Sequence, residues 1–396
     1  AGVSAHPLRA ATAVVGVADA ADPSGMLDGT VTELEARMIR EALDDAGLTL
    51  ADVDGLAINN GAGWAASLEA AERLGLAPRW TDSTQTGGSS FEIHVQHAAA
   101  AIALGLAEVV VVVYASTPRS SHKRGGGGFR SRALGGVTPA LEWDLPHGLR
   151  LPMGAYALAA SRHVHEFGTT PEQLASIAVQ TREWAAMNPR ARLRDPITVE
   201  DVLASPVEAS PLHKLDCCLV TDGAGAVVLT SAERAADLAK PPVYVLGAGT
   251  CHTHASITSM PDLTTTGGVV SGREAFRIAG LGPGDVDVVE LYDSFTITVL
   301  LALEDLGFCA KGEGGAFVAD GPLRPGGALP ANTNGGGLAY THPGQYGIFL
   351  LVEAARQLRG EAGDRQVPGA EVAVAHGSGG VLSAMSTVVL GAEATL

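Results

Sequence analysis

Apolar positions along this chain follow two rhythms that take turns. From Ala11 to Asp19 nearly every position is apolar, which reads as a buried strand. From Thr32 the stretch TELEARMIREALDDAGL carries apolar residues at helical spacing, with Gly47 placed to cap its end. VDGLAINNG then reads as a strand running into a turn. HVQHAAAAIALGLAEVVVVVYAS, starting at His94, is an alanine-rich helix followed by five valines, Val109 to Val113, the pattern of a strand covered on both faces. Further on, IFLLVEAARQLRG predicts another helix, and AEVAVAH and AMSTVVLG a closing pair of strands. Helices and buried strands alternate, so the predicted class is α/β.

One block occurs twice. Glu41 to Leu56, EALDDAGLTLADVDGL, aligns without a gap on Glu274 to Val289, EAFRIAGLGPGDVDVV. Eight of the 16 positions are identical: Glu41/Glu274, Ala42/Ala275, Ala46/Ala279, Gly47/Gly280, Leu48/Leu281, Asp52/Asp285, Val53/Val286 and Asp54/Asp287. Chance rarely sets a helix, a Gly-Leu stop and an Asp-Val-Asp strand entry in one register. The flanks agree, since a polar Gly-rich loop and a helix follow each copy: TQTGGSS in the first and GGGLAYTHPGQYG in the second. The chain reads as two similar halves. Between them, from about Pro118 to His213, lies a stretch with Pro-rich breaks and five clustered basic residues, Arg119, Lys123, Arg124, Arg130 and Arg132, which reads as an inserted loop domain.

Composition narrows the class without changing it. At 396 residues the chain is too long for one small core. Hydrophobic residues make up 46% but aromatics only 5%, and 50 glycines point to close backbone packing by small side chains. No window of about 18 apolar residues appears, and no basic stretch followed by an apolar one opens the chain. No membrane span or secretory signal is read, and a cytoplasmic location is expected. The net charge of −17 argues against nucleic acid binding, although a local basic patch remains compatible with an anionic ligand. The four cysteines form no CxxC pair and read as buried thiols, and CHTH (251–254) has no partner cluster for a metal.

In two pseudo-symmetric α/β halves the equivalent loops at the strand ends converge, where open α/β sheets place ligands. Four loops qualify: TGGSS (86–90), LYDSF (291–295), GGGLAYTHPG (335–344) and HGSGG (376–380). Glycine there lets backbone N–H groups approach a ligand and aim at a developing oxyanion. Titratable groups accumulate beside them: Tyr292, Tyr340 and Tyr346 are three of the chain's six tyrosines, and His342 and His376 sit in the same motifs.

Repeat, loop order and insertion together resemble the thiolase superfamily over essentially the whole chain. GGGLAYTHP is similar to the thiolase motif Gly-Gly-x-x-x-x-His-Pro. YDSF stands where thiolases have Asn-Glu-Ala-Phe, and HGSGG where they have Cys-x-Gly-Gly-Gly. Pro211 to Leu229 resembles the segment entering the last strand of the first half in sterol-carrier-type thiolase-like proteins. The resemblance implies a layered α-β-α-β-α core, with an N-terminal half at 1–118 and 214–239, an inserted loop domain at 119–213 and a C-terminal half at 240–396.

The departures point to different chemistry. The nucleophilic cysteine of thiolases falls on Gly88 or Ser89 here, their second cysteine on His376 and their asparagine on Tyr292, so His342 alone is kept. Thiolase-like proteins without these cysteines include aldolases that cleave β-hydroxyacyl-CoA side chains in steroid catabolism. That resemblance implies Tyr292 or Tyr340 as acid or base, Tyr346 as a further candidate, His342 as oxyanion donor or proton carrier, and His376 at the second cysteine's place. Gly88, Ser89, Ser90, Asp293, Gly336, Gly337 and Gly379 would form the oxyanion and substrate loops. Acting as a base near neutrality, a phenol with a pKa of ~10 needs a setting that lowers it. The basic cluster is expected to meet coenzyme A phosphates or a partner.

Three functions are open at this point: a retro-aldol lyase, a thiolase-type acyltransferase using Ser89 or another nucleophile, and a non-catalytic acyl-CoA-binding subunit. The lyase is expected. By resemblance the chain would form a homodimer, pair with a small zinc-ribbon/OB-fold subunit, and bind no cofactor beyond the coenzyme A of its substrate.

Overall fold

In the computed structural model, residues 6–59, 65–123 and 138–396 are described. Nine strands form one mixed sheet: β1 (Thr12–Ala20), β2 (Gly55–Ile58), β3 (Trp80–Asp82), β4 (Val109–Ser116), β5 (Gly223–Ser231), β6 (Val243–His252), β7 (Val288–Leu291), β8 (Val372–Gly379) and β9 (Ala384–Gly391). Their order is β3-β2-β4-β5-β1-β6-β9-β8-β7. Read outward from the centre, β1, β5, β4, β2 of the first half mirror β6, β9, β8, β7 of the second. The halves join where β1 and β6 run antiparallel, Ala13 opposite Tyr244 and Val14 opposite Val243.

The repeated block has the same job in each half. It forms the end of helix α1 (Val31–Ala46) with β2, and the end of a second helix, Gly268–Ala279, with β7. Gly47 and Gly280 close these helices in the left-handed conformation, at φ 72° and 69°. Ala42 and Ala275 lie where a strand crosses closely, since a Cβ on Gly16 would overlap the Ala42 carbonyl and one on Gly247 the Ala275 carbonyl. Asp52 and Asp285 each accept a backbone N–H three residues back, from Thr49 at 2.9 Å and Gly282 at 2.8 Å. Asp54 accepts from Val109 N at 2.9 Å, and Asp287 from Val372 N at 2.9 Å, so each carboxylate ties β2 or β7 to the start of its neighbour. The identities of the repeat are therefore the contacts that assemble one half.

Two further helices fill the space between the half-sheets: α2 (Ser90–Ala103), and in the second half Gly347–Arg359. Phe91, Val95 and Ala98 of the first pack with Phe349, Leu350 and Val352 of the second, against Val110 and Val112 from one half-sheet and Ala373 and Val388 from the other. The opposite strand faces, Val109, Val111 and Val113 or Val289 and Val374, lie in the core that holds Leu34, Met38, Ala275 and Phe276 of the outer helices. Helix, sheet, central helices, sheet and helix thus stack in five layers. Val109 to Val113 are all 0% exposed, and burying each valine stabilises the fold by roughly 1.5–3 kcal/mol.

Between β4 and β5 the chain forms helices α3 (Met153–Phe167) and α4 (Pro171–Ala186), which lie on α5 (Thr296–Asp305) of the second half. His163 of α3 holds Glu304 of α5 at 3.1 Å, and Trp184 of α4 donates to the Leu323 carbonyl at 2.8 Å. Among the described residues no helix is long and apolar enough to cross a membrane.

Candidate active site

The four loops, three of them glycine-bearing, meet at the C-terminal ends of β7 and β8, against the start of α2. A Cβ on Gly88 would overlap the Tyr292 ring and lie 2.5 Å from the Ser378 carbonyl oxygen. One on Gly87 would lie 2.8 Å from the Gly380 nitrogen, and one on Gly337 3.0 Å from His342 Cδ2. Glycine is needed here for close approach between loops.

Tyr292 is the first residue after β7, and its N–H donates to the His376 carbonyl at 2.9 Å, which fixes where the ring starts. Its hydroxyl lies 3.0 Å from His342 Nε2, with the rings perpendicular at 5.7 Å between centroids. His342 is held in turn by its N–H, which donates to Thr221 Oγ1 at 2.8 Å. Burial lowers the imidazole to about 4, so it is neutral at physiological pH. Burial, and then the neighbouring Cys218 and Tyr156, raise the Tyr292 phenol well above 10. The lowered phenol that a tyrosine base requires is thus not formed. Instead a protonated phenol faces the Nε2 of a neutral imidazole.

This pair forms part of the wall of a cavity of about 940 Å³. Tyr156, Cys218, Ser294 and Ser378 share the polar part of the wall, and Leu151, Pro152, Leu219, Val220 and Phe295 supply apolar surface. Gly88 and Gly380 border it with backbone. Arg119 and Lys123, on the short helix Pro118–Lys123, add positive charge, with His122 beside them. That helix is seated by Asp222, whose carboxylate accepts from the Ser120 N–H at 3.0 Å and from the Ser120 hydroxyl. Arg124, Arg130 and Arg132 lie outside the described residues.

Other residues expected at the site do not line the cavity, although the Tyr346 ring packs against both His342 and Tyr292. Tyr340 is 1% exposed and donates to Asp19 Oδ2 at 2.5 Å, away from the cavity. Tyr346 is 0% exposed and donates to Asn334 Oδ1 at 2.8 Å. His376 turns to Thr387, with Nδ1 and Oγ1 2.9 Å apart, and burial lowers it to about 4. Ser89 is buried against Thr86 at 3.0 Å, while Ser90 accepts from Asn59 and Thr86 and donates to the Gly87 carbonyl at 2.7 Å. No base holds either serine, so neither is set up as a nucleophile. Asp293 accepts from Gly337 N at 2.7 Å and Leu338 N at 3.1 Å. It stitches two loops together, and burial pushes it up to about 7. A Cβ on Gly336 would overlap that carboxylate, and one on Gly379 the Thr86 carbonyl, so both glycines serve loop packing.

Two wall residues escape a reading by motif. Tyr156 lies in GAYALAAS, a plain helical pattern with no glycine loop to flag it. Cys218 reads as packing because it precedes a buried strand, yet its N–H donates to the Ser294 carbonyl at 2.9 Å, which sets it beside Tyr292. Its thiol is raised by burial and by Asp293, so it stays protonated.

Residues 19–233 match the family described as thiolase, N-terminal domain, and residues 249–392 that described as thiolase C-terminal domain-like. A steroid side-chain-cleaving aldolase of Thermomonospora curvata is 38% identical, over 99% of this chain and 100% of that protein. An acetyl-CoA acetyltransferase of Methanothermobacter thermautotrophicus is 37% identical, over 86% of this chain and 88% of that one. Among solved structures, the Ltp2-ChsH2(DUF35) aldolase superposes with a TM-score of 0.87 at 35% identity, covering 98% of this chain and 99% of that one. Mirrored halves, converging glycine loops and these matches across both halves have one conclusion: the chain belongs to the thiolase superfamily, in a form whose acyl-transfer cysteines are replaced.

Proposed function

We propose that the chain is a carbon–carbon lyase that splits a β-hydroxyacyl-CoA with a bulky, steroid-type acyl group into a ketone and a shorter acyl-CoA. The observation that carries this is the Tyr292–His342 pair on the cavity wall, 3.0 Å from Oη to Nε2. As the substrate's β-hydroxyl gives its proton to Tyr292 Oη, the phenol passes its own proton to His342 Nε2. The carbon–carbon bond then breaks, leaving a ketone and a thioester enolate, and the stored proton returns to the enolate α-carbon. No covalent intermediate forms, and the accounts of proton and electron pair close.

Acyl transfer needs an activated nucleophile: Ser89 and Ser90 have no base on their hydroxyls, and the one thiol on the wall among the described residues, Cys218, is held in its protonated form. The apolar wall from Leu151 to Phe295 suits a large hydrocarbon, and Arg119 and Lys123 suit the phosphates of coenzyme A, which enters only as part of the substrate. The aldolase of known structure is named with a ChsH2(DUF35) component, which supports a small partner subunit for this chain. A zinc-ribbon/OB-fold make-up for that subunit, and a homodimer built along the free edge of β3, belong to the same proposal.

The deciding assay supplies a β-hydroxyacyl-CoA with and without free coenzyme A. Cleavage at the same rate in both is expected. A requirement for free coenzyme A would establish the acyltransferase instead, and absence of turnover a binding subunit. A second outcome follows from Gly88, where a Cβ overlaps the Tyr292 ring. Gly88→Cys, which restores a thiolase-like thiol, should lose lyase turnover about 10²-fold or more through misplacement of Tyr292 and gain no thiolysis, both read by product analysis.

A further inference from the structure

Retro-aldol cleavage has two ends: the β-hydroxyl, where a proton leaves, and the thioester oxygen, where negative charge gathers. Tyr292 and His342 serve the first. The second needs a hydrogen-bond donor that holds its proton and is already in place.

Tyr156 meets these requirements. It lies on the cavity wall and is 4% exposed, and its ring is tilted against Phe295 at 4.4 Å between centroids. Its hydroxyl lies 3.4 Å from the Gly380 carbonyl, too long for a good hydrogen bond, and has the Ser294 and Ser378 side chains as neighbours. The two wall phenols thus differ in one respect. Tyr292 faces His342 Nε2, which takes its proton in the relay proposed above, whereas Tyr156 has the Ser294 and Ser378 hydroxyls, the protonated Cys218 thiol, the Leu382 backbone and the Gly380 carbonyl around it, none of them a base at neutral pH. A phenol so placed donates a hydrogen bond without giving up the proton. It is also rigid: His163, two turns along the same face of α3, is locked between Thr169 at 2.8 Å and Glu304 at 3.1 Å.

We propose that Tyr156, carried in by the inserted region, is a catalytic residue that donates a hydrogen bond from its hydroxyl to the thioester oxygen and stabilises the enolate, on the wall it shares with the Tyr292–His342 proton relay. The assignment rests on the acyl-CoA chemistry proposed above, yet its test works without carbon–carbon cleavage, because enolate formation alone exchanges the α-protons of an acyl-CoA.

The full chain is incubated with propionyl-CoA in D2O, and deuterium entering the α-carbon is followed by mass spectrometry, for wild type and Tyr156→Phe. Exchange by the wild type, slowed about 10²–10³-fold in Tyr156→Phe with KM within about two-fold and an unchanged circular dichroism spectrum, is expected. Such a split separates a lost transition-state donor from lost packing, which would raise KM or disturb the fold. Exchange by Tyr156→Phe at the wild-type rate overturns the assignment, as does absence of exchange in the wild type. Cleavage of a β-hydroxyacyl-CoA by the same wild-type sample is scored separately, so failure of the lyase function is told apart from failure of Tyr156.

Discussion

Tyr292→Phe and His342→Ala are each expected to lower kcat for β-hydroxyacyl-CoA cleavage by about 10²–10⁴-fold, the range for loss of positioned proton transfer. The double variant should lose little more than either single one. The phenol and imidazole form one relay through a 3.0 Å contact, and removing either member stops the same proton. Steady-state kinetics on the three variants checks this, and multiplicative losses would mean that the two residues act at separate steps. The pH dependence follows from the same geometry. His342 must be neutral to receive the proton, and burial lowers it to about 4. Activity should therefore hold as pH falls past 6.5, the ordinary histidine value, and drop only near 4. At the alkaline side Tyr292 keeps its proton above pH 10, so no loss from the phenol is expected below that.

The largest effect on stability is expected at Asp19, at the end of β1. Its Oδ1 accepts from Arg190 Nη1 at 2.9 Å and pairs with Arg356 Nη1 at 2.7 Å, and its Oδ2 accepts from the Tyr340 hydroxyl. The Arg190 guanidinium also sits over the Tyr340 ring at 5.7 Å. One buried carboxylate thus joins β1, the segment after α4, the helix Gly347–Arg359 and the turn that leads to His342. Asp19→Asn leaves two guanidinium groups together without their counter-charge. Breaking a buried pair costs ~3–5 kcal/mol, and the lower end applies because the Arg190 side chain is 37% exposed. Denaturant unfolding of wild type and variant at pH 7 measures the difference. Although burial opposes ionisation of Asp19, Arg356 and Arg190 hold its carboxyl well below the ordinary value of 3.8. A depressed folded value means that the contribution is fully present above the unfolded pKa, near 4, and is lost as pH falls through the folded one. Wild type and Asp19→Asn should therefore converge in stability only in strong acid.

Tyr340 shows how far a motif can be followed. It stands two residues before His342 in a glycine run, while Tyr292 follows a valine strand in YDSF, and by motif both are candidates for acid or base. They separate because the turn Gly336–Tyr340 winds with its first residue in the left-handed region, at φ 61°, and sends Tyr340 toward β1 while His342 turns to the cavity. Ser89 and Ser90 are a second case. The thiolase nucleophile's position falls on Gly88 or Ser89, but Gly88 packs closely on Tyr292 and Ser378, and both serines are buried behind it. Tyr156 is the converse, since a residue in an unremarkable helical pattern reaches the site because His163 and Glu304 dock that helix on α5.

Local and repeated features are legible in the chain alone: buried valine strands, capped helices, an α/β class, and two halves whose shared Gly, Ala and Asp positions turn out to be the contacts that build each half. So is the place of His342 in a glycine loop with no thiolase cysteine beside it. Which titratable side chains share a cavity, and which of them burial keeps neutral, follows from the packing of distant segments. Direction and burial are set by contacts between segments far apart in the chain, 321 residues for Tyr340 and Asp19, and no local pattern encodes them.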